Sequence, residues 1–336
     1  MRFNIRMWGR ALREMPRMSN EEYRSLDFVS RWLISTRFAA IIMTVFSVLI
    51  AGILAYRTGP VNIGIWALMM VSLVFAHATN NIVNDLVDFA KGVDRENYFR
   101  DMYGPQPLER GLRSRAGQFR YALVNGLISL AFGLPVVLFR GGLTWPLIAA
   151  GAFFVLFYTY PLKYFALGEI SLLVVWGPLM VGGGYYVLTN VWDWNVVMAS
   201  LPFALGVTAT LMGKHIDKYD VDRSQRVFTL PVVIGEKSAR VVAVALIVLE
   251  FVATGYLVIT GFFTPVMAIV LLSLPSLFRI VLPMYRKPRP ADRPESYPEN
   301  AWPLWFVASA FVFTRRFGAF FVLGLIADTI IHRFIH

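Results

Sequence analysis

The sequence predicts an all-α integral membrane protein with nine transmembrane helices, and three observations carry that prediction. Of the 336 residues, 57% are hydrophobic and only 16% charged, whereas a soluble domain carries about 25% charge. Mean hydropathy is +0.57. The apolar residues gather in runs that approach the roughly 20 residues needed to cross a bilayer. A soluble globule is excluded. Cysteine is absent, which excludes disulfides, thiolate nucleophiles and Cys-ligated metals. The four histidines, His77, His215, His332 and His336, are too scattered for a zinc site.

Taken in order, residues 1–30 form a basic segment without the short apolar run and cleavage site of a signal peptide. The first apolar run after it is a full span and reads as retained. Residues 31–336 then read as one transmembrane domain. Its spans fall at Phe38–Tyr56, Ile63–Ile82, Phe119–Phe139, Leu143–Tyr160, Ile170–Leu188, Val196–Met212, Ala239–Ile259 and Phe263–Met284. A ninth lies between Trp302 and Ile331. Arg315 and Arg316 inside that run argue for an interfacial stretch, Trp302–Thr314, and a short span starting near Phe317. Lys and Arg crowd the N-terminal segment and the loops after spans two, six and eight, while the alternate loops offer Arg57 and Arg140. By the positive-inside rule the basic segments are cytoplasmic. The +11 net charge is thus topological and needs no nucleic-acid partner.

Two acidic clusters stand out against this background. NIVNDLVDFAKGVDRE (Asn81–Glu96) ends span two, and GKHIDKYDVDRSQRVFTLPVVIGE (Gly213–Glu236) ends span six. They contribute Asn84, Asp88 and Asp94, and Asp217, Asp220 and Asp222. Residues four apart share a helical face, so Asn84 and Asp88 can point together into a cavity; on a helix Asp217 and Asp220 would also share one. Polar groups near hydrocarbon are costly and mark function. Facing oxygen ligands suit Mg²⁺, which bridges carboxylates to substrate phosphates. Lys91, Arg110, Lys214 and Arg226 could then neutralise a diphosphate, as ionisation of a carbon–diphosphate bond requires. Acids that only solvate loops, or that line an ion pathway, stay open as other readings.

The motifs resemble those of the UbiA superfamily of intramembrane prenyltransferases, and most closely its 1,4-dihydroxy-2-naphthoate branch of the menaquinone pathway. The first motif falls on Asn84, Asp88, Lys91, Gly92 and Asp94. YTYPLKYFALGE (Tyr158–Glu169) is similar to the family's loop after span four, which makes Tyr158 and Lys163 candidate catalytic residues. DRSQRVFTLPVVIG resembles the tail of the second motif, and GPQPLERGL (Gly104–Leu112) loosely resembles the stretch after the first. One departure stands in the second motif: the aspartate four residues before Asp222 is replaced by Lys218, with Asp217 one place away. Asp217 is expected to take the ligand role and Lys218 to point elsewhere.

The resemblance implies nine helices around a central cavity, capped by cytoplasmic loops of a multi-pass protein in the cell membrane. It implies Mg²⁺ as cofactor, a polyprenyl diphosphate donor, an aromatic acceptor and membrane lipids as partners, and a place in quinone biosynthesis. Asn84, Asp88, Asp217 and Asp222 are the expected catalytic acids and amide; metal contacts extend to Asp94 and Asp220. A terpene cyclase, a prenyl-phosphate glycolipid synthase and a transporter are the alternatives.

Overall fold

The computed structural model describes residues 3–93, 106–299 and 301–334. Among the described residues the chain is helical and forms no strand. Three short helices lead: α1 (Ile5–Ala11), α2 (Asn20–Ser25) and α3 (Phe28–Ser35). Ser19 and Glu22 close a capping box on α2, and Asp27 caps α3 by accepting from the Ser30 N–H. The membrane helices follow as α4 (Phe38–Thr58), α5 (Ile63–Ala90), α6 (Arg115–Arg140), α7 (Thr144–Phe157), α8 (Gly168–Thr189) and α9 (Trp194–Asp217). After the short α10 (Tyr219–Ser224) and α11 (Leu230–Ile234) come α12 (Glu236–Ile259), α13 (Pro265–Tyr285) and α14 (Phe306–Phe334).

Eight of these helices are long and apolar enough to span a bilayer, and α7 is a shorter apolar one of 14 residues. The nine expected segments are all helical, and the chain is a multi-pass integral membrane protein. The expected break in the last one does not occur. α14 runs unbroken through Arg315 and Arg316 because both guanidiniums find partners: Arg315 donates to the Arg13 carbonyl and Arg316 to Ser276 Oγ.

Helices in lipid gain little from mutual hydrophobicity, so close fit and internal hydrogen bonds must hold them. α5 and α6 exchange reciprocal bonds, Ser72 Oγ to the Ser129 carbonyl and Ser129 Oγ to the Ser72 carbonyl, each 2.9 Å. α9 is the central helix, packed on α8, α12 and α14. Phe313, Phe317 and Phe321 stack along α14 at helical spacing, and Phe203 of α9 presses on Gly318, where a Cβ would come within 2.9 Å of its ring. α8 opens into a π-helical stretch, Val175–Gly182, around Pro178, which removes a backbone donor from the ladder.

At the end opposite the acidic clusters, Arg57 on α4 contacts Asp328 on α14 at 2.9 Å. Arg57 also lies 5.0 Å over the Phe262 ring, and Asp328 accepts the Thr264 N–H. Both side chains are buried. Removing one partner leaves an uncompensated charge, so Asp328→Ala should cost about 3–5 kcal/mol. The double change Arg57→Met with Asp328→Leu should cost clearly less, measured as the unfolding midpoint in detergent. Additive losses would show the pair to be uncoupled.

The leading arm turns on Asp27, which accepts from the Asn4 N–H, Trp8 Nε1 and the Ser30 N–H and hydroxyl. Burial alone would raise this carboxyl, but the hydrogen bonds from Ser30, Trp8 and Asn4 outweigh it and hold the group well below its usual 3.8. A depressed carboxyl stabilises the fold above its unfolded value and loses that contribution as pH falls. The arm should therefore loosen only as pH drops below 3.8, read as a change in Trp8 fluorescence. In Asp27→Asn that transition should vanish.

Candidate active site

The last turns of α5 place Asn84 and Asp88 on one face, both buried. Asn84 donates to Thr159 Oγ1 at 3.0 Å and accepts from Arg37 at 3.5 Å. Asp88 receives Lys163 Nζ on both oxygens, at 2.7 and 2.9 Å. Lys163 sits in a 3₁₀ turn, Leu162–Tyr164, whose backbone N–H at Lys163 bonds the Tyr158 carbonyl. The first acidic motif and the loop after α7, distant in sequence, therefore meet in space. Asp85, next to these, takes the Arg37 guanidinium. Asp94 lies outside the described residues.

The second cluster meets the first from α10: Gln225 Nε2 donates to the Val93 carbonyl at 3.1 Å. Asp222 is buried, with Lys218 Nζ 2.9 Å from one oxygen but no aligned hydrogen bond on either. Asp222, Asp88 and Glu169 all lie within electrostatic reach of Tyr158, so four elements converge there. Glu169 in turn pairs with His215 Nδ1 at 2.7 Å.

Two expected ligands go elsewhere. α9 breaks at Lys218, so Asp217 and Asp220 do not share a face. The Asp217 carboxylate accepts the backbone N–H groups of Trp305, Phe306 and Val307 at 2.9–3.2 Å. It caps the start of α14, whose orphan donors are its partners. Asp220 is exposed. Lys218, expected to point away, is the residue that faces Asp222. Among the expected cations, Lys214 borders the cavity, while Lys91 lies 3.8 Å over the Tyr160 ring. Arg110 donates to the Met18 carbonyl and so ties the leading arm; Arg226 is exposed. Arg37 joins the site from outside the quoted motifs, while Thr159, Glu169 and His215 lie inside them without being among the expected site residues.

Behind this polar mouth lies a cavity of about 860 Å³, lined chiefly by α5, α6, α7 and α8, with residues of α4, α9 and α14 completing it. Arg37, Asn84, Tyr158, Lys163 and Lys214 border it at the site end; the remaining walls are mainly apolar. Among the described residues, no three acidic or histidine side chains converge as a metal cage. The unsatisfied oxygens of Asp222 and the carboxylate of Asp88 nonetheless fit Mg²⁺, which needs only one or two carboxylates beside phosphates and water.

The structure is thus an intramembrane helical bundle with an apolar cavity and buried acid–lysine pairs beside its polar end. The sequence matches the UbiA prenyltransferase family over residues 44–310, and the chain belongs to that family; it is a prenyltransferase. Relatives include the UbiA prenyltransferase domain-containing protein 1 of Gallus gallus, 25% identical over 235 residues, 68% of either chain. The Drosophila melanogaster homolog is 26% identical over 203 residues, 57% of this chain and 55% of that one. Among solved structures, a UbiA homolog from Archaeoglobus fulgidus bound to GPP and Mg²⁺ superposes with TM-score 0.57 at 14% identity, covering 88% of this chain and 99% of the other. A digeranylgeranylglyceryl phosphate synthase gives 0.55 at 16% identity, covering 90% and 98%.

The two second-cluster aspartates should separate cleanly on mutation. Asp217→Ala should lower stability by about 1–2 kcal/mol, as loss of a helix cap does, while Asp217→Ser keeps most of it. Asp222→Asn leaves the buried Lys218 ammonium without its carboxylate and should also lower the unfolding midpoint in detergent, but unlike Asp217→Ser it should abolish turnover at temperatures where the fold is retained. The reverse pattern would return Asp217 to the catalytic set.

Proposed function

We propose that the protein transfers a polyprenyl group from a prenyl diphosphate to an aromatic acceptor, with 1,4-dihydroxy-2-naphthoate as the acceptor and menaquinone formation as the setting. The observation that carries this reading is the pair of buried couples Asp88–Lys163 and Asp222–Lys218 beside the end of an apolar cavity that Asn84, Tyr158 and Lys163 border. An amphiphile with a charged head and a long tail matches that division. The motif pattern from Asn84 to Gly92 and the GPP bound by the archaeal neighbour support the donor class.

Asn84, Asp88 and Asp222 would hold Mg²⁺, with Asp94 as a further ligand. Bound there, the metal would supply charge neutralisation to the leaving diphosphate. Lys163 and Lys218, each already against a carboxylate, can turn an ammonium proton toward the phosphates, and Lys214 adds a third charge from α9. Their charges favour departure of the diphosphate with its electron pair. The electron-rich ring would then capture the allylic carbon, and the attacked ring carbon would lose its proton, or its carboxylate as carbon dioxide, returning that bond's electron pair to the ring. Arg37, planar and able to bind a carboxylate in two places, faces the mouth where a carboxylated ring would lie. The apolar walls keep water from the allylic cation. The acidic motifs and the leading arm lie on the cytoplasmic side of the cell membrane in this reading, by the positive-inside rule.

Purified protein should convert prenyl diphosphate and the naphthoate to prenylated product and diphosphate only with Mg²⁺ present. Asp88→Ala should reduce turnover by about 100-fold or more. Diphosphate release without any acceptor product would favour a cyclase, and full activity in EDTA would remove the metal from the mechanism.

A further inference from the structure

Two polar contacts join α4 to α5 at a fixed interval. At the site end Arg37, which precedes α4, donates to Asn84 Oδ1. Seven residues further along each helix (44 − 37 and 84 − 77), Thr44 Oγ1 pairs with His77 Nδ1 at 2.8 Å. Seven residues make nearly two turns, so the second contact lies on the same helix faces, about 10 Å deeper. Arg37 and His77 border the cavity, as do Ala40 and Asn81 between them.

Joining two helices does not require an imidazole. Ser72 and Ser129 tie α5 to α6 through hydroxyls and carbonyls alone, with no ring nitrogen left over. Thr44 is buried, and among the described residues its hydroxyl has Nδ1 of His77 as its one partner. The hydroxyl proton therefore goes to Nδ1, which leaves the imidazole proton on Nε2. That N–H meets no acceptor among the described residues. Trp176 of α8 stands edge-to-face with the imidazole at 5.3 Å, which fixes the plane of the ring. An unpartnered donor on the wall of an apolar cavity is costly, and within a membrane helix it marks a binding position. Its acceptor is to be sought on a ligand.

The interval matches one arrangement of groups on an aromatic ring. From a carboxylate oxygen to a ring oxygen meta to that carboxylate, the path is a planar zigzag of five bonds that covers about 6 Å. A hydrogen bond of about 2.9 Å at each end sets the two donor nitrogens about 10–12 Å apart, which is the spacing of Arg37 and His77. An oxygen ortho to the carboxylate lies beside it instead, at the Arg37 end. The compound 1,4-dihydroxy-2-naphthoate carries one oxygen of each kind. Between the two contacts Ala40 is small, and the Asn81 amide is drawn to the Thr36 carbonyl at 2.7 Å, which leaves room for the ring.

Resting on the prenyl-transfer reading, we infer that His77 is a specificity-determining residue that donates from Nε2 to the ring oxygen meta to the acceptor's carboxylate, and that its spacing from Arg37 selects acceptors carrying both groups.

The test is a binding cycle on the full chain in nanodiscs, without prenyl donor. The probes are 4-hydroxy-2-naphthoate, whose oxygen is meta to the carboxylate, and its ortho isomer 1-hydroxy-2-naphthoate. The isomers share size and composition, so the position of the oxygen is what the comparison reads. His77→Leu should weaken binding of the meta isomer about tenfold, the loss of one buried hydrogen bond, and leave the ortho isomer within about threefold. Thr44→Val, which lets the proton move to Nδ1, should weaken the meta isomer in the same direction. In transfer to 1,4-dihydroxy-2-naphthoate, His77→Leu should raise KM for the acceptor about tenfold and leave KM for the prenyl diphosphate within about threefold. An equal loss for both isomers with the unfolding midpoint preserved, or no loss for either, overturns the inference. So does a wild-type chain that fails to bind the meta isomer. Should His77→Leu misfold, His77→Phe, which keeps a planar ring against Trp176, must show the same isomer-selective loss, and its failure to do so overturns the inference as well. Isomer-selective binding that depends on His77, without prenyl transfer to any naphthoate, would keep the subsite and retire the transfer reading.

Discussion

A carboxylate inside a bundle of apolar helices is tolerated only with a cation or a row of N–H groups against it, and this constraint organises the whole site end. Asp88 is answered by Lys163, Asp85 by Arg37, Asp222 by Lys218 and Glu169 by His215. Asp217 is answered by the first donors of α14. All but the Lys218–Asp222 pair join elements distant in sequence, so neutralising the acids also assembles the mouth. Glu250 of α12 departs from the rule: it is fully buried with neither oxygen hydrogen-bonded, and Gly206 of α9 leaves it space, since a Cβ there would lie 2.9 Å from its Oε1.

Pairing also prepares the chemistry. The couples Asp88–Lys163 and Asp222–Lys218 sum to no net charge, so the mouth can stay closed without ligand at modest electrostatic cost. Under the proposed prenyl transfer, a diphosphate and a divalent cation arriving together would exchange partners with both couples, ammonium to phosphate and carboxylate to metal. The same groups would then serve folding before binding and leaving-group neutralisation after it. Because the couples are buried, each contact acts where the dielectric is low and counts for more than it would in water.

Much of this is legible in the sequence because lipid enforces simple rules. Span lengths follow from bilayer thickness, and the Asn84–Asp88 face follows from helical periodicity. The second cluster escapes such reading for a physical reason. Assigning Asp217 and Asp220 to one face assumes that the helix continues, and the chain breaks at Lys218 instead, a local event that periodicity does not announce. Nor can spacing reveal that the start of α14, 88 residues further on, claims Asp217. The continuity of α14 through Arg315 and Arg316 is hidden similarly, because their partners lie on the leading arm and α13. Tertiary neighbours decide each of these cases.

Helix polarity then sorts the acids by role. A helix end with unsatisfied N–H groups carries partial positive charge and one with unsatisfied carbonyls partial negative charge. Asp217 meets the N-terminus of α14, where a carboxylate is favourable without help from any ligand. Asp88 stands in the last turn of α5, among carbonyl ends that disfavour it, and Lys163 holds it there by gripping both oxygens. Stability would gain from placing a cation at that position rather than an acid. An acid kept where the helix field opposes it, beside Asn84, makes a locus that attracts positive charge. Under the proposed function, that attraction would distinguish a carboxylate placed to bind a metal from one placed to cap a helix.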